Sequence, residues 1–447
     1  MTVPVLWESC ERPGSGGVSQ RYSRLRLSHK RIMLGVIMTG YLDREIAPRV
    51  HEALRDMPVV VLTGLRQCGK STFLGNDPAL KKRRYFSLDR FGDLEAIRTN
   101  AEAILGEPGA VTIDEAQRMP GIMEIIKAQV DREGQIPGRF LLSGSANFAL
   151  LKGVSESLAG RAIYIEMSPF SRREILRTTS SEPFLRNFFR KPSLPRGTVS
   201  PKPVSPAEVL RGGMPRVARG GVRNPSTWFT GYEQTYIERD VRQLTQVADL
   251  ISFRRAVRLS AFRTGKILKI SELARDAQLP VATLSRYLGV METSCLVRRL
   301  PPYLDNPVSR VVKSPKLFFN DAGLAAHLAG IRDISPGADS LMRGALYETY
   351  FLQNLVETLS ARWPEAALHY WNVQGRHEVD FVIADGRDSL AIEVKASTRW
   401  SESDLGGLRA FLAGAPHCRA GILAYGGRDA IALGDRLFAL PMSLLLG

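Results

Sequence analysis

Five residues in one glycine-rich segment have the types and spacing needed to bind a nucleotide. They lie in the pattern G-x-x-x-x-G-K-S-T, which follows the apolar run Val-Val-Val-Leu: Gly64, Gly69, Lys70, Ser71 and Thr72. The glycines permit backbone conformations that direct successive N–H groups at phosphate oxygens. The lysine adds a positive charge for the β- and γ-phosphates, and the serine hydroxyl is placed to ligate Mg²⁺. The segment predicts a Walker A loop that binds ATP; the alternative is a glycine-rich turn before an ordinary helix.

Two acidic residues follow a second apolar run further along the chain. Asp114 and Glu115 end the sequence Ala-Val-Thr-Ile-Asp-Glu. Downstream of a Walker A loop, such a pair predicts a Walker B segment. In it, Asp114 holds Mg²⁺ directly or through water, and Glu115 activates the attacking water. Without that loop, the same pair would indicate only a strand edge.

Four more polar residues are candidates for contact with the nucleotide. Ser143, Ser145 and Asn147 follow a third apolar strand and could sense the γ-phosphate, although residues of a simple turn would look the same. Arg161, in the segment Ser-Leu-Ala-Gly-Arg, could stabilise transferred phosphoryl charge in its own subunit or in a neighbouring one. The alternative for Arg161 is a surface arginine near a turn.

The elements that would position these residues alternate along the chain. Apolar strands begin near residues 59, 85, 110 and 140, with helical segments between them. This alternation predicts an α/β fold with a parallel sheet, and a nucleotide binds at the carboxyl ends of such strands.

A different pattern occupies residues 270–320. A capped helix from Ile270, a turn at 278–280 and a second helix at 281–292 precede two short strands, which predicts a winged helix. In a DNA reader the groove-facing and phosphate-facing side chains would be Thr283, Ser285, Arg286, Lys313 and Lys316. Winged helices also serve as rigid protein-contact modules, so this alternative stays open.

The last part of the chain contains a candidate nuclease site. Glu348 lies on an apolar helix, and Asp380, Glu393 and Lys395 lie on two strands that follow. Residues two apart on a strand share a face, so Glu393 and Lys395 point the same way, and a hairpin would bring Asp380 beside them. Two carboxylates with a divalent metal and a lysine form a phosphodiester-cleaving arrangement. The alternative is a relic core in which these polar residues satisfy one another.

The charge balance favours a polyanionic partner. The formal net charge is +16 and the pI is near 9.9, which points to nucleic acid, although a general bias toward arginine would give the same balance. No apolar run approaches the roughly 18 residues needed to span a bilayer, so no membrane partner is expected. The four cysteines, at positions 10, 68, 295 and 418, show no C-x-x-C spacing, which favours a reducing cytoplasm over a disulfide framework or zinc site.

Composition and pattern together predict six segments. Residues 1–39 form a flexible basic arm. Translation could instead start at Met33 or Met38, in which case most of this arm is not part of the native protein. The others are a P-loop domain at 40–190, a Pro/Ser-rich linker at 191–206, a helical connector at 207–260, a winged helix at 261–330 and a C-terminal α/β domain at 331–447.

From about Gly40 to Gly447 the chain resembles a family of uncharacterised prokaryotic predicted ATPases of the AAA type. Their P-loop domain is joined to a C-terminal domain of restriction-endonuclease-like, PD-(D/E)XK type. The matching strings are GLRQCGKST, SLDR, TIDEAQRMP, RFLLSGSAN, SLAGR, RGGMP, LFFNDAGLAAHL, ALYETYF, EVDFVI and AIEVKAS. Leu65 and Cys68 depart from the family's usual proline and small aliphatic residue, but neither position supplies a side chain to phosphate.

The resemblance implies that the Walker residues bind ATP and Mg²⁺ and that Glu348, Asp380, Glu393 and Lys395 stand where the nuclease-like set would be. We therefore expect a Mg²⁺-dependent ATPase that couples hydrolysis to a DNA-interacting winged helix and a nuclease-like domain. An ATP-regulated nuclease and a non-catalytic, ATP-liganded DNA-binding regulator are the alternatives. DNA, a protein partner and an oligomer are all compatible with the sequence.

Overall fold

The structure is a computed structural model that describes residues 40–145, 158–194, 201–236, 249–304, 313–338, 341–373 and 376–447. The predicted basic arm and the sensor candidate Asn147 therefore lie outside the described residues, as do residues 237–248 of the predicted helical connector.

A five-stranded parallel sheet carries the phosphate loop. Its strands are β1 Val59–Thr63, β2 Arg84–Ser87, β3 Val111–Asp114, β4 Phe140–Ser143 and β5 Ala162–Glu166. Their order is β2-β3-β4-β1-β5, and every neighbouring pair is parallel. The predicted parallel α/β sheet is therefore confirmed, with the phosphate loop leaving the end of the strand that lies between β4 and β5.

Helices on both faces explain why β1 is uncharged throughout. They are α1 Ala47–Asp56, α2 Lys70–Asn76, α3 Phe91–Gly106 and α4 Ile122–Glu133. Val60 and Leu62 belong to a core shared with α1 and α2, whereas Val59 and Val61 belong to a core shared with α3 and α4. Since successive side chains of a strand point to opposite faces, both sets must be apolar.

Strand β5 is absent from the prediction. It pairs with β1 along its whole length, from Ala162 opposite Val59 to Glu166 opposite Thr63. Only Ile165 of its five residues is buried. The strand therefore lacks the continuous apolar run by which its neighbours are recognised.

Short helices connect this sheet to the rest of the chain. They are α5 Arg172–Leu176, α6 Phe184–Arg190, α7 Pro206–Arg211, α8 Pro215–Ala218 and α9 Pro225–Thr235. The end of the predicted linker is packed, because Val204 is buried and the Pro201 carbonyl accepts a hydrogen bond from Ser443 Oγ (3.4 Å). The turn between α7 and α8 is anchored by Gly213, whose N–H donates to Asp321 Oδ2 (2.7 Å).

A helical module with a small sheet follows. Its elements are α10 Leu250–Ala261, β6 Lys266–Ile267, α11 Ile270–Ala277, α12 Val281–Thr293, β7 Val297–Leu300 and β8 Lys316–Phe319. The three strands form an antiparallel sheet in the order β6-β8-β7. The two helices and the two later strands lie where the sequence predicts them, and β6 is an addition.

The C-terminal part contains a six-stranded mixed sheet. Its elements are α13 Ala322–Leu328, α14 Arg343–Arg362, β9 Ala367–Val373, β10 His377–Asp385, β11 Asp388–Lys395, α15 Gly406–Gly414, β12 Cys418–Tyr425, β13 Ile431–Gly434, β14 Leu437–Pro441 and α16 Met442–Leu445. The order is β13-β14-β12-β11-β10-β9; β12 is parallel to both β11 and β14, and the other pairs are antiparallel. The hairpin of β10 and β11 is the one that the candidate nuclease site requires.

Helix α14 ties the C-terminal part to the nucleotide-binding part. Gln353 Nε2 donates to the Phe170 carbonyl (3.1 Å), and Asn354 Oδ1 accepts from the Arg172 N–H (2.6 Å). One apolar core extends from Ile46 to Leu446. The predicted modules are thus packed through a shared interior. In the part of the chain that is described, no helix has both the length and the apolarity to cross a membrane.

Candidate active site

The phosphate loop adopts a backbone that requires glycine at both glycine positions of the motif. Gly64 has φ +143°, and a Cβ at this position would lie 2.2 Å from the Met167 carbonyl oxygen. Gly69 has φ +102° and Gln67 has φ 60°, so three residues of the loop lie at positive φ. Residues at positive φ, interspersed with residues at negative φ, turn backbone N–H groups toward a common centre, as in anion-binding loops.

Lys70 begins helix α2 and is held by its own loop. Its Nζ donates to the carbonyls of Gly64 (2.8 Å) and Leu65 (3.1 Å), and the residue is buried. No side chain caps the amino end of α2, whose first residues are Lys70, Ser71 and Thr72. The first N–H groups of a helix have no partner within it, so they are available to a bound anion.

Asp114 ends strand β3 and is held by two hydroxyl groups. Tyr85 donates to its Oδ2 (2.7 Å), and Ser143 donates to its Oδ1. Asp114 and Ser143 are the last residues of β3 and β4, and Tyr85 lies within the neighbouring strand β2. Ser143 is fully buried and orients this carboxylate, whereas Ser145, two residues later, lines the cavity described below.

Glu115 follows in a left-handed conformation (φ 57°, ψ 40°) that directs it away from the strand. Its carboxylate accepts a hydrogen bond from Gln117 Nε2, which also lies 3.3 Å from Ser145 Oγ. Burial raises the pKa of Glu115 above its ordinary value, although the positive charge of Lys70 and the Gln117 hydrogen bond oppose this shift. Such a carboxylate is better suited to accept a proton than an exposed one.

A cavity of about 540 Å³ is lined by six of the predicted residues: Gly69, Lys70, Ser71, Thr72, Glu115 and Ser145. Its charged lining is mostly positive, with five basic residues against two acidic ones: Arg44, Arg66, Lys70, Arg216 and Arg219, with Asp89 and Glu115. Its polar lining includes Ser71, Thr72 and Ser145. The size and sign of this cavity suit a nucleotide, whose phosphates carry the negative charge.

The residues predicted to hold Mg²⁺ share an adjoining cavity. Ser71 and Asp114 line a space of about 510 Å³, to which Thr72 and Asp89 also contribute; both of these residues line the larger cavity as well. A hydroxyl and a carboxylate at a phosphate site are the oxygen ligands that Mg²⁺ takes in P-loop proteins. The residues present therefore fit the predicted ion.

A buried arginine that the sequence analysis does not identify supports the phosphate loop. Arg44 donates to the carbonyls of Cys68 (2.9 Å) and Ser168 (2.6 Å) and pairs with Glu174 Oε1 (2.8 Å). One residue in the sequence, Pro48, indicates where helix α1 begins, because proline is tolerated in the first turn of a helix and not in its interior. It places the start of α1 after Arg44.

Helix α8 and the residue after it supply further cavity residues that the sequence patterns do not identify. Pro215, Arg216 and Arg219 line the cavity. In the sequence, Arg-Gly-Gly-Met-Pro appears only as one of the strings that match the family. The Gly213 carbonyl accepts from the Phe170 N–H (2.8 Å), and Phe170 itself lines the cavity. Helix α8 and Arg219 therefore bring positive charge to the cavity from a distant part of the chain.

Arg161 lies away from the cavity. Its carbonyl accepts from the N–H of Val59, the first residue of β1, whereas the phosphate loop follows the last residue of that strand. Its guanidinium pairs with both carboxylate oxygens of Asp131 (2.6 and 3.0 Å). The structure thus does not bring Arg161 to its own nucleotide site, and action on a neighbouring subunit stays a prediction.

The C-terminal candidate residues do lie together. The Val394 N–H donates to Asp380 Oδ2 (2.9 Å), which places this carboxylate between Glu393 and Lys395. Lys395 Nζ lies 3.0 Å from Glu393 Oε1. Burial and the charge of Asp380 raise the pKa of Glu393 to about 8 and that of Glu348 well above its ordinary value.

A fifth group, Lys316, changes the interpretation of this cluster. Lys316 of β8 lies 3.2 Å from Asp380 Oδ1 and pairs with Glu378. The prediction that Lys316 faces DNA phosphates is wrong, because the residue is buried against these carboxylates. In the described ranges, no three His, Cys, Asp or Glu side chains are arranged to hold a metal ion.

Family models match three parts of the chain. Residues 56–176 match a family model described as an AAA domain, and residues 206–335 and 343–445 match two domains of unknown function, DUF8612 and DUF4143. Among solved structures, the Walker-type ATPase paby2304 of Pyrococcus abyssi is similar with a TM-score of 0.40 and 16% identity over 64% of this chain and 96% of that one. The Thermotoga maritima RuvB Holliday junction branch migration motor has a TM-score of 0.28 and 17% identity, over 58% of this chain and 90% of that one. At these scores the structural likenesses carry no argument about function.

Two relatives that match over most of the chain are more informative about the family to which it belongs. Uncharacterized protein Rv2008c of Mycobacterium tuberculosis and uncharacterized protein Mb2031c of Mycobacterium bovis are each 30% identical over 405 residues, 90% of this chain and 84% of theirs. The match spans the phosphate loop, the helical module and the C-terminal sheet. The chain therefore belongs to an uncharacterised family of AAA-type ATPases that includes these two mycobacterial proteins.

Proposed function

We propose that the chain hydrolyses ATP in a Mg²⁺-dependent reaction and uses the cycle to move its C-terminal modules. The observation that carries this proposal is the single cavity that unites Lys70, Ser71 and Glu115. A phosphate anchor, a metal ligand and a base in one cavity are the parts that hydrolysis requires, and simple binding would not need the base.

Each residue has a role that follows from its placement. Lys70 exchanges its two loop carbonyls for oxygens of the β- and γ-phosphates, while the N–H groups at the start of α2 hold the same phosphates. Ser71 and Asp114 would hold Mg²⁺, which when bound neutralises charge on the β- and γ-phosphates. The two hydroxyls on Asp114 keep its carboxylate fixed for this purpose.

Glu115 is the candidate base. Its raised pKa suits it to take a proton from the attacking water, and Gln117 and Ser145 fix its position. Arg216 and Arg219 add positive charge to the cavity lining. Gly213, just before their helix α8, is hydrogen-bonded to Phe170 and to Asp321, the residue before α13. A contact between these arginines and the γ-phosphate would therefore be transmitted to the C-terminal part.

The helical module is the proposed DNA-contacting part. Its element order, helix–strand–helix–helix–strand–strand with an antiparallel sheet, supports a winged helix. On α12 Arg286 is exposed and Thr283 and Ser285 are half-buried, as a helix facing a groove requires. The net charge of +16 supports a polyanionic ligand. DNA is therefore the proposed partner, and a protein partner is the alternative outcome of the test below.

Two further features complete the proposal. The three described cysteines, Cys68, Cys295 and Cys418, are free thiols, which supports the expected reducing cytoplasm. The C-terminal sheet order and the hairpin of β10 and β11 support a nuclease-like ancestry. Nuclease activity itself is not favoured, because Lys316 lies among the carboxylates.

The test of the ATPase is steady-state turnover with and without Mg²⁺ and duplex DNA. Lys70→Ala should lower turnover by at least about 100-fold, the order expected for loss of one charge-stabilising donor. Arg55→Ala, at an exposed position at the end of α1, is the matched control and should be unaffected. Wild-type protein that neither binds nor hydrolyses ATP would remove the proposal.

The test of DNA contact is the dependence of affinity on salt. Arg286→Ala should lower the slope of log affinity against log salt by about one. Arg409→Ala, at an exposed residue of helix α15, is the control. A salt-independent affinity, or the absence of binding, would favour a protein partner for this module.

A further inference from the structure

Lys316 is an unusually placed lysine. It begins β8, and only 2% of its side chain is exposed. A lysine is almost never fully buried unless its charge is paired. The described part of the chain thus contains a buried cation that the ATPase site does not use.

The charges that pair with Lys316 come from another part of the fold. Asp380 Oδ1 lies 3.2 Å from its Nζ, Glu378 forms a second ion pair, and the ring of Tyr370 lies beneath it at 5.7 Å. All three acceptors belong to strands β9 and β10 of the C-terminal sheet, whereas β8 belongs to the three-stranded sheet. Lys316 therefore reaches across a boundary between two sheets.

The place that Lys316 occupies is where a metal ion would need to bind. Both oxygens of Asp380 are engaged, Oδ1 by Lys316 and Oδ2 by the Val394 N–H (2.9 Å). Glu393 is bound to Lys395 through Oε1, but its buried Oε2 has no hydrogen-bond partner among the described residues. That oxygen is a buried acceptor without a donor.

The ammonium is charged in this environment. Burial alone would lower the pKa of Lys316, but the carboxylates of Asp380, Glu348 and Glu378 outweigh burial and raise it above the ordinary value. Carboxylate oxygens are also the ligands that a divalent ion takes, but with Lys316 among them no three of these acidic groups are arranged to hold one.

We propose that the Lys316 ammonium is the resident cation of the carboxylate cluster formed by Glu348, Glu378, Asp380 and Glu393, and that it closes this cluster to divalent metal ions. The lysine also locks the three-stranded sheet onto the C-terminal sheet. Metal can enter only when β8 withdraws or when the lysine is replaced. This inference goes beyond the ATPase proposal and does not rest on it.

The test is Mn²⁺ binding to the full chain without nucleotide, measured by calorimetry and by Mn²⁺ electron paramagnetic resonance. Lys316→Met, which removes the charge and keeps the length of the side chain, should bind one Mn²⁺ per chain at least tenfold more tightly than the wild type. Adding Asp380→Asn to this variant should abolish the gain. Lys313→Met, at an exposed lysine of the same segment, should behave as the wild type.

Two results would overturn the inference. One is a folded Lys316→Met protein, judged by circular dichroism, that gains no Mn²⁺ affinity. The other is wild-type protein that binds Mn²⁺ at a site that the substitution Asp380→Asn alone removes. This comparison keeps Lys316 in place, so it can be made even if Lys316→Met does not fold. We expect the wild type to show no such site.

Discussion

Replacing Arg44 by methionine tests how the phosphate loop is held in place. The guanidinium is buried, with 2% of the side chain exposed, and makes an ion pair with Glu174 and hydrogen bonds to the carbonyls of Cys68 and Ser168. Methionine fills similar volume and removes all three interactions. The Cys68 carbonyl, which lies within the phosphate loop, loses its fixed donor.

The expected loss of stability depends on the hydrogen-bond donors that Glu174 keeps. Removing one partner of a buried ion pair costs about 3–5 kcal/mol, because the other charge stays buried. Glu174 keeps two backbone donors, the N–H groups of Glu45 (2.7 Å) and Ser171 (2.8 Å). We therefore expect a loss at the lower end of this range, about 3 kcal/mol of unfolding free energy.

The assay is urea unfolding, paired with the KM for ATP. Arg44→Met should unfold at clearly lower urea and show a raised KM, because the loop is no longer fixed. Arg55→Met, at an exposed site on the same helix, should change stability by no more than about 0.5 kcal/mol. A loss for Arg44→Met below about 1 kcal/mol, with unchanged KM, would refute this account of the loop.

Two further predictions concern a buried carboxyl group and a glycine. Burial, with the charge of Glu174, raises the pKa of Glu357 to about 8. The folded chain therefore holds a proton that the unfolded chain releases near pH 4.3, and stability falls as pH rises from there to about 8. Glu357→Gln should flatten this decline by up to about 1.4 kcal/mol per pH unit in urea unfolding, and an unchanged slope would count against the assignment. Gly64→Ala should cost more than about 2 kcal/mol in thermal unfolding, because of its positive φ and the contact with the Met167 carbonyl. Gly75→Ala, with open space around its Cβ, should cost nothing, and equal losses in the two variants would contradict the geometry.

The sequence identifies several of the residues that line the two cavities because its signals there are local. The glycine spacing determines the positive φ values of the loop, and the acid pair ends an apolar strand beside it. The hairpin that places Asp380 beside Glu393 also follows from short-range spacing. In each case the residues that act together are close in sequence or lie at the ends of recognisable strands.

The features missed depend on contacts between distant segments. Arg44 binds Glu174, which lies 130 residues away, and Lys316 binds Asp380 across 64 residues. An arginine shortly before a helix, or a lysine at the start of a strand, looks like a surface residue until its partner is known. Arg161 is the converse, since its local context suggests a phosphate contact but the strand order places it at the far end of β1.

The central claim, that this cavity hydrolyses ATP rather than only binding it, is tested most directly by Glu115→Gln. In a single-turnover experiment with excess enzyme and Mg²⁺, the variant should bind ATP with wild-type affinity and hydrolyse it about 10²–10⁴-fold more slowly, the contribution of a general base. Glutamine keeps the shape and removes the proton acceptor. Hydrolysis by Glu115→Gln at the wild-type rate would contradict the account.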